Sequence, residues 1–60
     1  MLRFAFTLAL NGRLPEAREV FLAIEKVHGA DAYRLARRAL RERISEGEQG
    51  LAGLAQSLPD

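Results

Sequence analysis

The sequence predicts an all-α fold: a three-helix antiparallel bundle followed by a short C-terminal helix. Three observations predict it. Ala17, Val20, Phe21, Ile24 and Val27 step by three and four, as one face of a helix does. Ala32, Leu35, Ala36, Ala39 and Leu40 repeat that spacing further on. Between the two runs Gly29 suits a helix stop and Asp31 a helix N-cap, so one helix follows another almost at once.

Length and composition set the outer bounds. Sixty residues make one domain, spanning 1–60. A chain this short buries only about 60% of the surface its extended form exposes, so its core is marginal alone. Such domains lean on a disulfide, a metal, an oligomer or tight helix packing. Cysteine is absent, and His28 is the only histidine, so disulfides and zinc are both set aside. Oligomerisation or tight packing remains. A chain without cysteine also fits a cytoplasmic setting. Residues 4–10 (FAFTLAL) are too short an apolar run for a membrane helix and lack the small-residue site of a signal peptide.

The first element is read as a helix over 2–10. Leu2, Phe4, Phe6, Leu8 and Leu10 alternate with other residues, which is a strand pattern, and Asn11-Gly12 is a hairpin-turn dipeptide. A hairpin needs a second strand, however, and Pro15 opens a helical run instead. Ala5 and Ala9 favour the helix. A strand here would have to pair with another chain.

The second helix spans 15–28. Pro15 fits the first helical position, where its missing N–H costs nothing. Glu16 and Glu19 suit the positive end of the helix dipole, and Lys26 and His28 the negative end. The third helix spans 31–46, its apolar arc widened by Tyr33 and Ile44. The tail, 48–57, keeps Leu51, Leu54 and Leu58 at helical spacing despite Gly50 and Gly53. Each glycine inside a helix costs about 1 kcal/mol against alanine, so this segment needs docking to hold. Pro59 stops it.

The first two helices together carry a family pattern. Phe4-Ala5 and Leu8 form an apolar-small pair with a large apolar residue three positions on. Ala17 and Phe21 stand four apart in the next helix. In these residues the segment from 4 to 29 resembles a single tetratricopeptide repeat, a two-helix unit that binds other proteins. The resemblance implies that the small residues at 5 and 17 let the helices approach closely, with Phe21 filling the space beside them. Met1 stands where the family has tryptophan, and Gly29 where it has proline. A second copy of the pattern, one period of about 34 residues later, keeps only Ala39 at the small position.

No catalytic set is present. Ser45 and Ser57 have no triad context, no phosphate loop occurs, and His28 has no second ligand, so an enzyme is not expected and no metal or cofactor is called for. The expected function is a protein–protein interaction module that forms a homodimer. One hairpin cannot cover both sides of the first helix, which leaves Leu2, Phe4, Phe6 and Leu10 as the expected contact residues. The alternative is a small nucleic-acid-associated regulator. Arg34, Arg37, Arg38 and Arg41 cluster on one side of the third helix, where like charges at helical spacing oppose one another. An anionic partner, whether nucleic acid phosphate or an acidic protein surface, would relieve that repulsion. Arg43 falls inside the apolar arc and is expected to snorkel or to pair with a carboxylate.

Overall fold

Each helix begins and ends where a particular backbone group finds a partner. The computed structural model describes residues 1–59. In it α1 spans Leu2–Leu10, α2 Leu14–His28 and α3 Ala30–Ser45. A 3₁₀ turn, Gln49–Leu51, then leads into the short helix α4, Ala52–Ser57. The three long helices pack antiparallel. The 3₁₀ turn sits against α1 and α3, and α4 packs back on α2 and α3.

Residues 2–10 are helical rather than extended, and Asn11-Gly12 explains why. Gly12 takes φ +78°, its N–H donates to the Ala9 carbonyl at 3.0 Å, and the Arg13 N–H reaches back to Leu8 at 2.9 Å. The dipeptide that signals a hairpin thus closes a helix, because these two bonds satisfy the Leu8 and Ala9 carbonyls in the last turn of α1. The end of α3 repeats the arrangement. Gly47, at φ +115°, donates to Ile44, and the Glu48 N–H donates to Arg43.

Gly29 joins α2 to α3 without any further linker. At φ +96° and ψ 173° it occupies backbone space that favours glycine. Its N–H donates to Glu25 at 2.8 Å and its carbonyl accepts from Tyr33 at 3.2 Å. The glycine carbonyl therefore opens α3 one residue earlier than the sequence suggests. Asp31 falls inside the first turn and bonds Arg34 instead of capping.

The core collects Ala5, Phe6, Leu8 and Ala9 from α1, Ala17, Phe21 and Ile24 from α2, and Tyr33, Ala36 and Leu40 from α3. Phe6 and Phe21 meet with ring centroids 6.2 Å apart and planes tilted by 45°, within the favoured range for aromatic pairs. Two residues expected in this core lie outside it. Val27 is 67% exposed at the end of α2, and Leu35 is 63% exposed on α3. For Leu35 the cause is a rotation of α3. Its buried face is centred on Tyr33, Ala36 and Leu40, because Tyr33 goes fully inward rather than sitting at the edge.

The tail docks and closes the bundle. Leu51, Leu54 and Leu58 are all buried. The Arg18 Nε donates to the Ser57 carbonyl at 3.1 Å, placing a cation at the negative end of α4. The Tyr33 hydroxyl donates to the Pro59 carbonyl. Gly53 of α4 lies close to α2: a methyl group there would stand 3.2 Å from Leu14 Cδ1. The accessible surface is 3995 Å². That corresponds to burying about 60% of the extended chain's surface, the usual share for a domain this size.

Candidate protein-interaction surface

One apolar groove opens where the start of α1 meets the end of α2 and the first turns of α3. Met1, Leu2, Ile24, His28, Ala32, Leu35 and Ala36 line a volume of about 320 Å³. Antiparallel packing brings these positions together although they are spread over the first 36 residues. The floor is Ile24 and Ala36, both buried. The walls are Leu2, half-buried, and Leu35, exposed. Met1, 60% exposed, stands at the mouth. Apart from the His28 imidazole the lining offers water few hydrogen bonds, so covering it is favourable.

The four residues expected to form a contact surface on α1 do not share one face. Leu2 lines the groove. Phe6 is buried against Phe21, so it belongs to the core and is withdrawn as a contact residue. Phe4 is 60% exposed but lies about 200° around the helix from Leu2 at 100° per residue. Leu10, 51% exposed, sits about 12 Å further along α1 at 1.5 Å per residue, beside Gly50 of the 3₁₀ turn. Sequence reasoning missed Met1 and Leu35. Leu35 carried a signal, since it interrupts a run of arginines, but its apolar character was assigned to the core.

The four arginines do converge. Arg34, Arg37, Arg38 and Arg41 line a second depression of about 250 Å³ along α3. Three of them are exposed and Arg37 is half-buried, with its guanidinium carbon 5.8 Å from the centre of the Tyr33 ring. Arg34 pairs with Asp31 one turn back. Among the described residues no ion pair involves Arg38 or Arg41. A third hollow, lined by Asp31, Arg34, Leu35 and Arg38, connects the arginine depression to the apolar groove. Leu35 belongs to both the groove and this hollow.

Arg43 is accounted for within the chain. Its guanidinium lies 4.7 Å above the Phe6 ring and bonds Glu48 at 3.1 Å. It covers the edge of the core with its stem and ring contact while its charge meets a carboxylate at the surface.

No family model, curated protein or solved structure matches this chain.

Proposed function

We propose that this chain is a non-enzymatic protein–protein interaction module whose working surface is the apolar groove between α1 and α3. One observation carries the reading: Met1, Leu2 and Leu35 leave an open apolar lining uncovered on a domain whose own core is small. In the absence of another partner the groove is covered by a second copy, giving a homodimer. The contact residues are then Met1, Leu2 and Leu35 rather than the α1 stripe first expected. Sedimentation equilibrium at micromolar concentration tests this. The native chain is expected to show a reversible dimer, and Leu35→Gln a monomer of unchanged helical content. A well-folded monomer from the native chain would refute self-association.

The tetratricopeptide-type reading of α1 and α2 belongs to the same proposal. It is supported by the complete burial of Ala5, Ala17 and Phe21, the small and aromatic positions of the pattern. In this chain α4 closes the hairpin on one side, which leaves the groove as the surface available to a partner.

A second reading has its own observation, the shared depression of Arg34, Arg37, Arg38 and Arg41. Such a cluster suits phosphate, and a nucleic-acid-associated role follows from it. Tyr33 is buried beneath Arg37 and no aromatic ring lines the depression, so base stacking has no platform there. A mobility shift at moderate salt, lost when all four arginines become glutamine, would establish this role.

A further inference from the structure

The apolar groove and the arginine face are one continuous surface, and their continuity specifies a partner. Leu35 forms a wall of the groove, while Arg34 precedes it in sequence and Arg38 lies one turn beyond it. Any molecule that covers Leu35 therefore meets two guanidinium groups at the rim. Asp31 already bonds Arg34, which leaves Arg38 and, further along, Arg41 to be met by the partner's acids. A second copy docked groove to groove would set arginines close to arginines. That repulsion would favour an acidic partner over a second copy.

We propose that the surface takes an acidic amphipathic helix of another protein. The inference rests on the reading of the groove as an interaction surface and names what occupies it. A groove between helices suits a helix whose apolar residues recur at three- and four-residue steps. Glutamates or aspartates flanking that stripe would then lie against Arg38 and Arg41, and guanidinium groups bind carboxylates with directed, charge-assisted bonds.

The test uses two synthetic helical peptides with the same leucine stripe, one flanked by glutamates and its twin by lysines, titrated into the full chain by fluorescence anisotropy. The glutamate peptide is expected to bind roughly tenfold more tightly than its twin, with affinity falling as salt rises. The double variant Arg38→Gln, Arg41→Gln should remove that difference, and Leu35→Gln should weaken both peptides. Equal binding of the two peptides to the native chain would overturn the acidic partner while leaving the groove reading intact. If neither binds but the native chain dimerises through Leu35, the occupant is a second copy and the inference fails. If neither binds and the chain stays monomeric, the groove reading fails as well. Capture by phosphatidylserine vesicles that the glutamate peptide does not relieve would assign the surface to membranes instead.

Discussion

Gly29 does the work of two caps in one residue. Its backbone, at φ +96° with ψ near 180°, lies where side chains are strained, yet no atom would crowd a methyl group placed there. The cost of Gly29→Ala is thus conformational alone, about 1–3 kcal/mol, and a urea titration followed by circular dichroism should show it. Gly50 presents the opposite case. It has no positive φ, and an added methyl would rest 3.5 Å from Leu10, an ordinary contact. Gly50→Ala should stabilise the fold by roughly 0.5–1 kcal/mol through a less flexible unfolded chain, visible as a rise in Tm of a few degrees. Tyr33→Phe removes the hydroxyl that holds the Pro59 carbonyl. About 1 kcal/mol should be lost, with faster amide exchange in α4 as the local sign.

At the scale of elements, α4 is the piece whose stability is borrowed. Six residues are too few for a helix to hold in water by itself. It persists because Leu51 and Leu54 are fully buried and Leu58 nearly so. Leu54→Ala should cost about 2–5 kcal/mol, enough to unfold much of a domain of this size, and thermal melts would register it as a loss of the whole transition rather than of one helix. The elements also show what could be read from the chain alone. α2 was legible almost to the residue, because Pro15, the apolar face and Gly29 all agree. α1 was harder, since its alternation and Asn11-Gly12 both point to a hairpin; Pro15, Ala5 and Ala9 favoured the helix, and the bonds from Gly12 and Arg13 to the helix end show how it closes. The rotation of α3 was not legible. Tyr33 and Leu35 flank the same arc, and nothing local says which turns inward until Tyr33 meets the tail. That rotation decides the candidate site, for it puts Leu35 outside, beside the arginines, and moves Arg43 to the edge over Phe6.

The whole molecule is a small closed core with one side left open. Its radius of gyration, 10.2 Å, is that of a folded domain of this length, about 10 Å. The interior therefore lacks nothing in compactness, and the apolar groove is a surface feature rather than a packing fault. The charges are arranged to the same end: Arg34, Arg37, Arg38 and Arg41 stand on α3 alone, although the chain as a whole carries only +1. An apolar trough bordered by cations suits a partner better than it suits solvent. The most direct check is a dilution series of heteronuclear NMR spectra of the isotope-labelled chain. Concentration-dependent shifts should gather on Leu2, Ile24, His28, Ala32, Leu35 and Ala36. Shifts confined to Phe4 and Leu10 would contradict the account, and none at all would refute self-association.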